Sequence, residues 1–323
     1  MKWESPMPEL QKAVLSIFHD CFHMKNDEQL LILCDDAKIE LGMHFFKIAK
    51  SIGLTAHLSV LPPSRLAHES ALKTLSPYLN NLDAAIFLTT DSISHTSFRR
   101  QASRKGTRIA SMPGITREIL IRNMNGNYKK TVSLSRKLAD ILTIANHGHI
   151  LTPAGTNLHF SLKRMKGYAD TGLLDKPGTF SNLPFGEAAA APAEHSAEGT
   201  LVLDSTFSSL GTLAHHVKIK VKAGYATRIS GNGQVDQIRK MLRPYGQAGR
   251  LIAEVGIGTN GDSAITGSIL EDEKKLGTLH IAMGNNTSFG GKNNIPSHHD
   301  GLLLNPTLIL DGKTILDQGR LAL

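Results

Sequence analysis

Apolar and polar positions alternate along this chain with two different periods, and the change of period falls near its middle. Residues 30–36, LLILCDD, form a short apolar run ending in acids, and 39–53, IELGMHFFKIAKSIG, has helical apolar spacing with a glycine stop. TAHLSVLPP (55–63) reads as a strand entering a proline turn, followed by a helical stretch from Ser64 to about Leu79. DAAIFLTT (83–90) is a third strand, SFRRQASRKG (97–106) a third helix, and TRIASMPG (107–114) a fourth strand. This alternation predicts a parallel sheet covered on both faces. A long amphipathic helix over roughly 128–146 serves as the boundary element.

From Gly148 onward the pattern turns to strands and turns: HILTPAGTNLHFSLK, GTLVLDSTF, and the alternating HHVKIKVKAGYATRIS. One clear helix intervenes at about 235–244, and LIAEVGIGTN, GTLHIAMG and GLLLNPTLILDG close the chain as further strands. The expected architecture is therefore an α/β domain over 1–147 with a parallel sheet, followed by a strand-rich α+β domain over 148–323.

Composition narrows the class without naming a chemistry. The chain has 323 residues, 41% hydrophobic and 20% charged, a globular composition with room for two cores. Two cysteines without a CxxC argue against a disulfide framework and a thiolate metal site. The start, MKWESPMPELQKAVLSIFHD, lacks the apolar core of a secretion signal, and no apolar run has the ~20 residues of a membrane span. A cytoplasmic protein without a membrane partner is the expectation. The net charge of +8 raises the question of nucleic acid, but the basic residues are scattered (RKGTR at 104–108, YKK at 128–130, KIKVK at 218–222). A solvated basic surface accounts for them, so no nucleic-acid partner is expected. No GxGxxG follows the first strand and no GxxxxGK[ST] occurs, so nucleotide binding has no support. Asp35 and Asp36, at a strand's carboxyl end, read as a helix cap.

Candidate chemistry lies in the second half. In IPSHHDGLLLNP (295–306) an extended backbone would put His298 and Asp300 on one face and His299 on the other. An imidazole beside a carboxylate suits Zn²⁺, Mn²⁺, Fe²⁺ or Co²⁺, while a polar strand edge is the plain alternative. Glu254 lies in the otherwise uncharged LIAEVGIGTN, and His280 in the apolar GTLHIAMG. A carboxylate in such a strand must be paired, protonated or metal-bound. A salt bridge for Glu254 and a backbone-bonded core histidine for His280 remain open at this stage. Glu187 follows the turn-rich SNLPFG. Together Glu187, Glu254, His280, His298 and Asp300 supply three carboxylates and two imidazoles, enough for two divalent ions if one carboxylate bridges. Glu271, Asp272 and Glu273 read as acids at the start of a short helix.

The segments AEVGIGTN, TGSILEDEKKLGTLHIAMG, NTSFGGKNNIPSHHDGLLLNPTLILDG and SNLPFGEAAAAP resemble the aminopeptidase T (leucyl aminopeptidase, aminopeptidase S/II) metallopeptidases, in order and in approximate separation. The resemblance is strong over 152–323 and weaker before it, where the amino-terminal domain looks shorter than in well-known members. It implies that Glu187, Glu254, His280, His298 and Asp300 are metal ligands, with Glu254 bridging two ions, and that Glu187 and Glu254 are catalytic. The classical enzymes carry a tyrosine where this chain has Thr287. The same fold family also resembles an iron(II) ring-opening dioxygenase, 2,5-dihydroxypyridine 5,6-dioxygenase, whose first histidine ligand falls near Glu254.

A glutamate at 254 points to two ions. The expected function is therefore a homodimeric metallo-aminopeptidase acting on a peptide or small-molecule substrate. Two Zn, Co or Mn ions would hold a bridging hydroxide, with Glu187 passing the proton to the leaving amine. A mononuclear Fe(II) dioxygenase, or a hydrolase of a related non-peptide amide, is the alternative.

Overall fold

A computed structural model describes residues 8–62, 65–94 and 96–323, with backbone alone for 65–69. Residues 1–7, Pro63 and Ser64, where the second helix is expected to begin, lie outside the described residues. The chain forms two compact units, Met1–Tyr128 with Gly172–Phe185, and Lys129–Thr171 with Gly186–Leu323.

The first unit holds the expected parallel sheet. Its strand order is Thr55–Leu61, Gln29–Asp35, Ala84–Leu88, Arg108–Ser111 and Phe180–Asn182, and every pairing is parallel. Leu30 to Cys34 are buried at every position, which requires cover on both faces. On one face Leu31, Leu33 and Phe87 share a core with Phe98 and Ala102 of the Ser97–Arg104 helix. The fifth strand is absent from the sequence pattern because three residues carry no measurable period. The same limit hides the eight-residue helix Arg117–Met124, which Thr116 caps by accepting the Ile119 N–H.

Neither cysteine is in a disulfide, and both are buried. Burial, with Asp35 and Asp36 beside it, pushes the Cys34 thiol up to about 11. Only thiolate attacks, so at pH 8 neither cysteine of the native protein should react with an aromatic disulfide reagent. Both should react once the chain is unfolded. Fast labelling of one thiol in the native state would contradict this packing.

The second unit is built from two antiparallel sheets and the helix Tyr128–Ile144. The helix contributes Leu138, Ala139 and Leu142 to a core that takes Ile150, Leu201 and Ile219 from one sheet and Val255, Ile281 and Leu303 from the other. Strand Val217–Lys222 alternates buried valine and isoleucine with exposed lysine, as its sequence predicts. Together the units give the expected mixed class, a parallel α/β sheet and a strand-rich α+β part. Among the described residues no helix is long and apolar enough to cross a membrane.

Candidate metal centre

The seven-stranded sheet of the second unit runs Gly211–Thr212, Thr206–Phe207, His298–Leu303, Leu279–Gly284, Ile252–Gly258, Glu187–Ala190, Tyr168–Asp170. Its register decides which side chains meet. Glu254 lies opposite Ala282, and Ala282 opposite Asp300. His280 lies opposite Gly256, Glu187 opposite Gly258, and Asp170 opposite Glu187. Paired residues in an antiparallel ladder project to the same side, and so do residues two apart on one strand. Glu187, Glu254, His280, His298 and Asp300 therefore share one face, together with Asp170 and Tyr168. His299 has the opposite parity, and its ring stacks on Phe207.

The centre of that face is lined by residues with almost no side chain. A Cβ on Gly256 would sit 2.0 Å from Nε2 of His280, so the imidazole occupies the space that glycine leaves. Beside it the ladder carries a bulge between Ile252 and Glu254. Bulges of this kind turn a strand locally and re-aim its side chains.

Glu254 is the hub. Its Oε1 lies 3.3 Å from His280 Nε2 and its Oε2 3.0 Å from His298 Nε2. His298 Nε2 is also 3.2 Å from Asp300 Oδ1, and His280 Nε2 is 3.5 Å from Glu187 Oε2. The other ring nitrogen of His298, Nδ1, lies 2.8 Å from the Asn285 carbonyl oxygen. Donation to that carbonyl fixes the tautomer and leaves Nε2 free to serve as a ligand. Candidate three-residue donor sets are Glu187, Glu254 and His280; Glu254, His298 and Asp300; and Glu273, His280 and Asp300. The side chains of His280 and Glu254 are 1% and 3% exposed, against 21% for His298 and 15% for Asp300. The cluster is sealed at its base and open toward His298 and Asp300.

Electrostatics set the charge of each group. Burial alone would raise the Glu254 carboxyl, but hydrogen bonds from His280 and His298 hold it below the ordinary glutamate value. Burial disfavours charge on His280 as well, yet the bond to Glu254 and the nearby carboxylates push it up to about 9. His298 rises well above the ordinary histidine value against burial, under the pull of Asp300 and Glu254. Asp300 is held far below the usual carboxylate range despite burial, by His298. Two carboxyls shift the other way: burial raises Glu187 and pushes Glu273 up to about 8, with Lys274 opposing in both.

Lys274, Glu273 and Asp170 are the parts of the site that sequence reasoning missed. The Lys274 ammonium is 2% exposed and lies 2.8 Å from Glu187 Oε2, 2.9 Å from Glu273 Oε1 and 3.3 Å from Asp170 Oδ2. Glu271, Asp272 and Glu273 read alike as acids at a helix start, but their roles separate. Asp272, at the end of the Ile269–Asp272 helix, accepts the Thr266 and Gly267 N–H groups and the Thr206 hydroxyl, which ties down a loop. Glu273 instead joins the cluster. Lysine directly after three acids at an expected helix start was the available signal.

Buried imidazole nitrogens converging with carboxylate oxygens form the donor set of a borderline transition-metal site, and ferrous iron fits it. What such a site does is not decided by its ligands, and the comparisons with known proteins change the reading. The sequence profile of the family described as 2,5-dihydroxypyridine 5,6-dioxygenase (NicX) matches residues 10–323. The chain is 27% identical over 254 residues to the 2,5-dihydroxypyridine 5,6-dioxygenase of Pseudomonas putida, covering 74% of this chain and 71% of that one. Its fold is similar to the solved structure of the dioxygenase from P. putida KT2440, with a TM-score of 0.81 and 20% identity over 98% of each chain. AmpT from Thermus thermophilus is also similar in fold, with a TM-score of 0.70 and 14% identity over 98% of this chain and 99% of that one. The family match overturns the expectation of a metallo-aminopeptidase, and with it the hydrolase and protease reading; the likeness to aminopeptidase T is one of fold. The inference from Glu254 to hydrolysis failed because carboxylate and imidazole donors serve hydrolytic and oxidative metals alike. On the match over residues 10–323, the chain belongs to the 2,5-dihydroxypyridine 5,6-dioxygenase family.

Proposed function

We propose that this protein is a mononuclear ferrous-iron dioxygenase that opens a hydroxylated nitrogen-heteroaromatic ring. The observation that carries the reading is the pair of imidazoles, His280 and His298, whose Nε2 atoms flank the Glu254 carboxylate, in a chain of this family. Two histidines with one carboxylate are the usual donor set for iron(II) enzymes that use O₂. In this reading His280, His298 and Glu254 hold the iron; the two imidazoles lie on different oxygens of Glu254 and must draw together to share one ion, with Asp300 beside His298.

Bound there, ferrous iron supplies the one-electron chemistry through which O₂ reacts with a closed-shell ring. The chain does the rest. The Asn285 carbonyl orients His298, and the sealed base formed by His280 and Glu254 excludes water from the inner side. A carboxylate oxygen of Glu187, whose basicity burial raises while Lys274 holds the side chain in place, takes up the proton of a ring hydroxyl. Lys274 also places one covalently attached positive charge among Glu187, Glu273 and Asp170.

The test is reconstitution of metal-free protein with Fe(II) under anaerobic conditions, followed by 2,5-dihydroxypyridine and air. One iron per chain should restore loss of the ring absorbance, with one O₂ consumed per ring opened, and Zn(II) should restore nothing. Ring loss supported by Zn(II) without O₂ uptake would refute the oxygenase reading.

A further inference from the structure

The open side of the cluster is bordered by two aromatic rings that the chemistry above leaves unused. Tyr168 lies on the edge strand of the seven-stranded sheet, two residues before Asp170 and on the same face. Phe289 ends the single turn Thr287–Phe289 in the loop that leads to His298. The two rings meet edge to face, with centroids 6.0 Å apart and planes at 79°. Phe289 in turn lies 6.2 Å from the His298 imidazole, with its plane inclined by only 30°. Both rings keep solvent-reachable surface: Tyr168 is 42% exposed, and Phe289 is half-buried. Neither ring belongs to the buried core of its unit.

The loop that carries Phe289 is fixed from below. Asn286 Oδ1 accepts the Asn293 N–H at 2.8 Å, and the Asn293 amide donates to the Gly284 and Ala248 carbonyls at 2.6 and 2.8 Å. Glu194 accepts the Lys292 N–H at 2.8 Å. Gly291 closes on Asn286 so tightly that a Cβ there would sit 2.0 Å from its amide carbon. The phenylalanine is therefore held in position ahead of binding, at a site where a flexible loop would have lost conformational entropy.

We propose that Tyr168 and Phe289 form an aromatic wall at the open edge of the cluster, and that this wall binds the face of a planar heteroaromatic substrate and presents the ring to the metal. This assignment rests on the ring-opening function proposed above and adds the residues that select a flat, electron-rich ring. It follows from the juxtaposition of these two rings with His298 and Asp300, the least buried of the candidate donors at 21% and 15% exposure. The wall positions the substrate and takes no part in proton or electron transfer.

The experiment uses the Fe(II)-loaded protein and 2,5-dihydroxypyridine as probe. Binding is followed without O₂ by the change in ring absorbance, and steady-state rates are then measured in air. Stacking of one ring on an aromatic side chain is worth ~1–3 kcal/mol, so Phe289→Ala and Tyr168→Ala should each weaken binding about tenfold. KM should rise by a similar factor while kcat changes less than about threefold. Phe289→Leu keeps apolar bulk without a ring face and should show the same loss, whereas Phe289→Tyr and Tyr168→Phe should bind like the wild type. Iron content and melting temperature of each variant separate this effect from a merely structural one. Binding within twofold of wild type in the alanine and leucine variants would overturn the wall while leaving the functional reading intact. A wild-type protein that neither binds nor opens the ring overturns the functional reading, and the wall with it.

Discussion

Replacing Glu254 with glutamine should abolish ring opening and reduce iron affinity by at least about a hundredfold. The substitution preserves shape and removes one negative charge from a side chain buried at 2% exposure between two imidazoles. Residues that merely orient metal ligands already contribute about 10- to 100-fold in affinity, and Glu254 touches both proposed histidine ligands. Glutamine offers one amide oxygen and one amide nitrogen to the two ring nitrogens, so it cannot reproduce both carboxylate contacts. Chelator competition on the Fe(II) protein measures the affinity, and a thermal melt checks that the variant remains folded. Stoichiometric iron retained at wild-type affinity in a folded variant would remove Glu254 from the centre.

The second large effect is expected from the smallest change, Gly256→Ala. The added carbon would lie 2.0 Å from Nε2 and 2.1 Å from Cε1 of His280, well inside contact distance. Backbone movement offers no relief, because Gly256 is paired with His280 on one side and Ala189 on the other. The ring must leave its place, and its Nε2 is a proposed iron ligand. Overpacking of this kind costs about 1–3 kcal/mol of stability, which a domain of this size tolerates, so the folded variant should form with little iron and no activity. Gly261→Ala is the control: its new carbon meets nothing nearer than 4.0 Å, and iron loading should match the wild type. Normal iron content in Gly256→Ala would mean that Nε2 of His280 is not a ligand.

These expectations also mark how far the sequence could be read. Charged residues inside apolar strands were conspicuous, so Glu254 and His280 stood out, and period-two alternation separated His298 and Asp300 from His299. The register then places them on one face with Glu187, as the pairings Glu254 with Ala282 and Ala282 with Asp300 require. Asp170, Glu273 and Lys274 escaped notice. They lie at strand ends and turns, where no period marks a residue as buried, and Glu273 was masked by two acids with structural work. Three-residue strands such as Tyr168–Asp170 and Phe180–Asn182 escaped for the same lack of period. The reaction itself was misread at one residue. A buried glutamate held between two imidazoles, as Glu254 is, suits one ion as well as two and does not select hydrolysis.

Lys274 has a consequence for the life history of the protein as well as for its chemistry. Its ammonium remains among Asp170, Glu187 and Glu273 whether or not a metal is bound, because it is part of the chain. Glu254 lies between the imidazoles of His280 and His298, which the surrounding carboxylates shift toward the protonated form, and His298 also faces Asp300. Every buried acid of the centre thus has a cationic neighbour before any iron arrives. With the proposed iron, folding and loading would be separable events, and a chain that lost the ion would stay folded and take it up again.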